Sequence, residues 1–244
     1  MLSQTKTKIK NLLLRCGLEV RRVAIIPDRE AYLPVLKPEM VDQTFQNIYQ
    51  EAQLYTIVTE DRCYVLYTLA RQAAHLGADF IECGVYKGGT AMLLAKVLDD
   101  TCGESGPLLR LFDTFAGIPT ADPTLDLSKE KFDMGDFSDT SAEAVQRRIG
   151  RKAVKLHKGL IPETFKGLED TRIAFAHVDV VLHRAVDDCC RFVYPRLVPG
   201  GFMVFDDYGF ADCPGARAAI DQFFKDTVEI PLVLPTGQAV VFKS

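Results

Sequence analysis

Residues 80–90 read Phe-Ile-Glu-Cys-Gly-Val-Tyr-Lys-Gly-Gly-Thr, and this stretch narrows the choice of fold more than any other. Asp79 to Cys83 is a short apolar run of the kind that forms a buried strand. Gly84, Gly88 and Gly89 then turn the chain. Thr90 to Leu98 follows with good helix formers. A strand, a glycine-rich turn and a helix start let the backbone approach a ligand closely, and the free amides there favour a negative group. Glu82 adds a carboxylate suited to an amine or a hydroxyl. The spacing is not the G-x-G-x-x-G of dinucleotide folds, because Tyr86 stands where the middle glycine belongs.

The rest of the chain alternates in the same way. Gln43–Ala52 and Asp61–Leu76 have helical character, the second with Val65, Leu66, Leu69, Ala73 and Leu76 in step and Gly77 to stop it. Strands are expected at Leu108–Phe112, Val154–His157, Ile173–Val181 and Gly201–Phe205. Helices are expected from Thr140-x-x-Glu143, a capping-box match, to Ile149, over Arg184–Tyr194, and over Pro214–Phe224 with proline in its first turn. Leu232–Leu234 and Ala239–Phe242 flank a Pro-Thr-Gly-Gln turn and read as a hairpin. Such alternation predicts an α/β fold with an open, mostly parallel sheet, helices on both faces and a terminal antiparallel hairpin. Residues 1–76 form a helical extension, and residues 77–244 the main domain. Met1–Arg22 is basic and amphipathic, either a surface helix or loose terminus, or a segment that lies on a membrane or a partner.

At 244 residues and 48% hydrophobic content the chain can bury a large core without cross-links. A net charge of −4 with no long basic run argues against nucleic-acid binding. No apolar run reaches the roughly 18 residues of a membrane span, and no secretory leader is evident. A cytoplasmic protein is expected. The seven cysteines include no C-x-x-C and read as reduced, buried thiols.

In doubly wound sheets ligands bind beyond the carboxyl ends of the strands. Those ends carry Glu82, Asp113, Asp179 and the pair Asp206 and Asp207. Asp113 is placed to grip two ribose hydroxyls. Asp136 and Phe137 either meet a base, by amino group and ring, or simply make a turn. Asp179, Asp206 and Asp207 offer three hard oxygen ligands, a reasonable Mg²⁺ site that would lower the pKa of a bound hydroxyl. Alternatively Asp206-Asp207-Tyr208-Gly209 is a polar turn. His183 follows the strand and is either a base or structural.

These motifs together resemble the macrocin O-methyltransferase family of class I S-adenosylmethionine (SAM)-dependent methyltransferases. Those enzymes methylate sugar hydroxyls on natural products, several with Mg²⁺. The resemblance runs from Tyr55 to the C-terminus and rests on Phe80–Gly89, Phe112-Asp-Thr-Phe-Ala-Gly-Ile-Pro119, Gly135-Asp-Phe137, His177-Val-Asp179 and Tyr194–Gly209. It implies a Rossmann-like class I fold. Glu82, Gly84 and Gly88 would line the methionine end of SAM, with Tyr86, Gly89 and Thr90 completing the turn. Asp113 would hold the ribose, and Asp136 with Phe137 the adenine. Asp179, Asp206 and Asp207 would hold the metal, and Asp179 would also be the base toward a small-molecule hydroxyl acceptor. The N-terminal helices would close over that acceptor and carry any contacts between copies in a homo-oligomer.

The chain departs from the family inside this site. The usual H-x-D-x-D-x-Y is His177-Val-Asp-Val-Val-Leu-His183 here, so Val181 replaces an aspartate and His183 a tyrosine. If the strand is regular, positions 179, 181 and 183 share a face. Ala116, where an acidic residue is usual, is a milder change. Three readings follow: a methyltransferase with altered substrate choice, a metal-independent one using His183, or a SAM-binding relative with lost or repurposed chemistry. An NAD-dependent oxidoreductase is disfavoured by Tyr86 and by the lack of a Tyr-x-x-x-Lys pair.

Overall fold

The structure, a computed structural model, describes residues 37–103, 105–126 and 133–244. The basic segment Met1–Arg22 and the prolines at 27 and 34 lie outside them. Pro38–Ser244 forms one compact unit.

Seven strands make one sheet: β1 Asp79–Cys83, β2 Leu109–Asp113, β3 Val154–Lys158, β4 Ile173–Val178, β5 Leu197–Phe205, β6 Leu232–Val233 and β7 Ala239–Phe242. Their order is β3-β2-β1-β4-β5-β7-β6. The first five run parallel, and β7 joins β5 and β6 antiparallel. The strand order reverses between β1 and β4, where ligands bind in sheets of this kind.

The helices are α1 Pro38–Val41, α2 Gln43–Ala52, α3 Glu60–Ala73, α4 Gly89–Cys102, α5 Ala142–Ile149, α6 His183–Val193 and α7 Pro214–Phe224. Period-two alternation along the strands divides the core into two layers. Phe80, Phe175 and Val204 pack with α2, α3 and α4 on one face. Ile81, Val178 and Phe205 pack with α6 and α7 on the other. The central strands are buried on both sides, so they read as continuous apolar runs rather than alternating ones. Helix α6 presents Val186, Cys189, Cys190 and Val193 at 3, 4 and 7 residue steps and buries all four.

Two boundaries differ from the sequence reading in ways that matter. Strand β4 stops at Val178, not Val181. His183 follows the strand, as expected, and is the first residue of α6 rather than a loop residue, so positions 179, 181 and 183 do not share one strand face. Helix α5 is capped by Ser141, whose hydroxyl accepts from Ala144 N at 3.2 Å. Thr140, the expected cap, instead donates to the Tyr86 carbonyl at 2.6 Å.

Candidate active site

A cavity opens at the carboxyl ends of β1, β2, β4 and β5, beneath the segment Thr56–Val58 that follows α2. On one side lies the glycine turn. Gly84 has φ +84°, and a Cβ there would sit 1.9 Å from the Asp179 carbonyl oxygen, so the turn is pressed against the end of β4 and only glycine fits. Asp113 organises the turn from the next strand. Its Oδ2 accepts from Val85 N at 2.7 Å and Tyr86 N at 2.9 Å, and its Oδ1 from Phe115 N at 2.6 Å. Tyr86 is held at φ +50° and meets Phe137 edge-on, ring centroids 5.2 Å apart. Gly84, Tyr86, Thr90, Asp113 and Phe137 all line the cavity.

Other predicted cofactor residues are placed differently. Asp136 turns its carboxylate to Asp133 N, 2.9 Å away, and lies outside the lining. Its backbone pairs with Ile118, accepting from that residue's N at 2.9 Å, which sets Phe137 in the wall. Gly88 and Gly89 also lie outside the lining. A Cβ on Gly88 would meet Val145 of α5, and one on Gly89 would meet the Ala52 carbonyl at 2.5 Å. These glycines let helices pack around the turn.

Glu82 is fully buried and lies behind the cavity. The period-two pattern explains why. Glu82, His177, Asp206 and Gln238 each stand two residues from a buried apolar residue of the α3 side: Phe80, Phe175, Val204 and Val240. All four polar groups therefore project into that layer, and they bond to one another. His177 Nδ1 meets Glu82 Oε1 at 2.9 Å, and its Nε2 lies 3.6 Å from Asp206 Oδ1. Gln238 Nε2 donates to Asp206 Oδ1 at 2.9 Å. Arg62 of α3 closes the row with a salt bridge from NH1 to Asp206 Oδ2.

Asp179, Asp206 and Asp207 converge, each with a carboxylate oxygen within 4.8 Å of the others. Their charges interact strongly. Burial, then the charges of Asp206 and Asp207, push Asp179 well above the usual carboxylate range. Burial and Asp206 push Asp207 up to about 7. Burial works against ionisation of Asp206 too, but the nearby His177 ring, the charge of Arg62 and the bond from Gln238 hold it below the usual range. Burial opposes a charge on His177 as well, yet the nearby Asp206 carboxylate and the bond to Glu82 hold its pKa well up. Asp207 Oδ2 is buried with no hydrogen-bond partner among the described residues. An orphaned oxygen within a repelling carboxylate cluster suits a hard divalent cation, so these residues fit Mg²⁺.

Val181 lines the cavity; His183 does not. The His183 backbone N–H donates to Asp126 Oδ1 at 2.7 Å, and its Nδ1 is buried with no partner among the described residues. Its Cβ faces Gly215 at the start of α7.

Sequence reasoning missed Arg62 and Gln238. Arg62 carries a readable signal, since it stands four residues before Leu66 and shares the apolar stripe of α3. Gln238 gives no such signal until its neighbour Val240 is known to face the core.

Comparisons with known proteins bear on the family and the fold. A family model described as "Macrocin-O-methyltransferase (TylF)" matches residues 30–243. An 8-demethyl-8-(2,3-dimethoxy-alpha-L-rhamnosyl)-tetracenomycin-C 4'-O-methyltransferase of Streptomyces olivaceus is 26% identical over 146 residues, 57% of this chain and 56% of that protein. A mycinamicin III 3''-O-methyltransferase of Micromonospora griseorubida is 28% identical over 155 residues, 59% of each. The chain thus matches little over half the length of these relatives. Among solved structures, the O-methyltransferase NovP superposes with a TM-score of 0.65 at 18% identity, covering 78% of this chain and 82% of its own. The calicheamicin methyltransferase CalS11 does so at 0.63 and 18%, covering 91% and 99%. At such identities the structural matches speak for the fold.

Proposed function

Because the chain belongs to the macrocin-O-methyltransferase family, we propose that it transfers a methyl group from SAM to a hydroxyl of a sugar or glycosylated secondary metabolite. The observation that carries this reading is one cavity with two chemically distinct sides. The glycine turn, Asp113 and Phe137 form one, and the carboxylate cluster the other.

SAM supplies an electrophilic methyl group when bound. The turn Gly84–Tyr86 and Thr90 would receive its methionine end, and Asp113 its ribose. Asp113 already fixes the turn, and its oxygens retain lone pairs for hydroxyl donors. Phe137 and Tyr86 give apolar surface for the base. Glu82 acts from behind, holding His177 in place.

Asp179, Asp206 and Asp207 would hold Mg²⁺, which lowers the pKa of a coordinated hydroxyl. The chain's own task is to align the acceptor oxygen and take its proton. Asp179 lines the cavity from the end of β4, so it is the candidate base toward the acceptor oxygen. Alignment supplies much of the rate in a displacement of this kind. Residues 38–76 act as the acceptor-side cap over the domain that begins at 77, since Thr56–Val58 and Arg62 reach the cavity from that segment.

A second reading is favoured by Val181. It puts an apolar side chain into the cavity where the family carries an aspartate, as in a SAM-binding relative whose chemistry is lost or repurposed. In a metal-independent enzyme, by contrast, His183 would be the base; its place outside the lining weighs against it.

Calorimetric titration with SAM tests the proposal. Micromolar affinity, roughly −8 kcal/mol, is expected, followed by methylation of a hydroxyl in an acceptor panel. No heat at millimolar SAM would sink it.

A further inference from the structure

The carboxylate cluster already contains a cation, supplied by the chain itself. Arg62 is buried among its partners. Besides its salt bridge to Asp206, its Nε donates to Thr59 Oγ1 at 3.1 Å and its NH2 to the Ile57 carbonyl at 3.2 Å. The guanidinium carbon stands 5.0 Å from the centre of the Phe210 ring. Gln238 grips both ends of the pair, donating to Asp206 Oδ1 at 2.9 Å and reaching the Arg62 carbonyl at 3.4 Å. Among the described residues, the donor contacts of this guanidinium run to Ile57 of the cavity's cover, to Thr59 just behind it at the start of α3, and to the cluster. Both oxygens of Asp206 are taken, one by Arg62 and the other by Gln238 with His177 nearby.

We propose that Arg62 competes with a divalent cation for Asp206, so that ion entry displaces the guanidinium and frees the segment Ile57–Thr59 that it ties down. This rests on reading Asp179, Asp206 and Asp207 as the ion site. A guanidinium stays charged at any working pH and repels a second cation on the same carboxylate. It also occupies an oxygen the ion needs. Arg62 is therefore a positioning residue that sets how readily the cluster loads and how firmly the cover is held.

The sign of the effect separates this role from a merely structural one. If Arg62 only props up Asp206, removing it disorders a ligand and weakens ion binding. If it competes, removing it strengthens binding. The experiment is a Mn²⁺ titration of the full chain, with free aqueous Mn²⁺ followed by electron paramagnetic resonance, on wild type, Arg62→Met and Arg62→Lys. Arg62→Gln serves as a second neutral variant should the methionine one fail to fold. About tenfold tighter binding is expected in the neutral variants, with Arg62→Lys within about twofold of wild type because it keeps the charge. Equal or weaker binding in a folded neutral variant, with wild type still binding, overturns the competition and leaves the ion site standing. No Mn²⁺ binding by any of these proteins overturns the ion site and the competition together.

Discussion

At the residue scale the sharpest question is Val181. It lies in the loop between β4 and α6, faces the cavity and brings no hydrogen-bonding capacity to it. An aspartate there would add a fourth carboxylate to a cavity where crowding already raises Asp179 and Asp207 above the usual range. In an ion-free protein that carboxylate lacks a partner, so Val181→Asp is expected to lose about 1–2 kcal/mol of stability. Added Mg²⁺ should restore more stability in the variant than in wild type. Denaturant curves in EDTA and in Mg²⁺ measure both. If Val181 is a specialised wall of a working enzyme, methyl transfer falls in the variant. A rise from an inactive parent would instead mark Val181 as the site of lost chemistry. His183→Tyr, which changes a residue outside the lining, is expected to alter transfer little.

At the element scale, the same few residues show how far the sequence could be read. Helices α2 and α7 and strand β1 lie where the periodicity and flanking glycine or proline put them, because local pattern and burial agree there. The end of β4 could not be read. Residues 173–181 are almost uniformly apolar, and nothing local says where pairing stops. It stops because Gly84 jams against the Asp179 carbonyl and the neighbouring strands end alongside, at Cys83 and Phe205. The strand-end carboxylates were legible as a set, since the parallel order brings successive strand ends to one edge. The buried row from Glu82 to Arg62 was not, because it depends on which strands are neighbours. The cap of α5 failed more narrowly. Thr140 and Ser141 can both cap a helix, and tertiary structure chose between them by giving Thr140 the Tyr86 carbonyl. That division of labour is testable. Ser141→Ala should cost about 1 kcal/mol of stability in urea unfolding, as N-cap losses do, and leave SAM affinity unchanged. Thr140→Ala should weaken SAM binding severalfold by loosening the turn, with the smaller effect on stability. Equal effects from the two substitutions would mean that α5 and the turn move as one piece.

At the scale of the whole molecule, pH sets buried groups against one another. His157 of β3 stacks on Phe112, centroids 4.4 Å apart and planes 11° from parallel. Burial, then the charges of Arg110 and Lys155, push its pKa down to about 4. The unfolded chain takes up the same proton near 6.5. Between these values the unfolded state holds more protons, so the contribution of His157 is complete above about 6.5 and is lost as the pH falls toward 4. With the ring partly exposed and screened, the loss amounts to about 1–2 kcal/mol. Asp207 works in the opposite sense. Its folded-state pKa, raised to about 7, favours the folded state at low pH and costs stability as the pH rises from about 4 to 7. Wild-type stability alone would therefore show a muted slope from cancelling parts. Replacing His157 by phenylalanine keeps a ring on Phe112 and removes one of them. In EDTA, Phe at 157 is expected to gain about 1–2 kcal/mol relative to wild type between pH 7.5 and pH 5. Urea unfolding of both proteins at the two pH values measures that difference. A difference that does not change with pH would mean that His157 titrates in the folded chain as it does in the unfolded one.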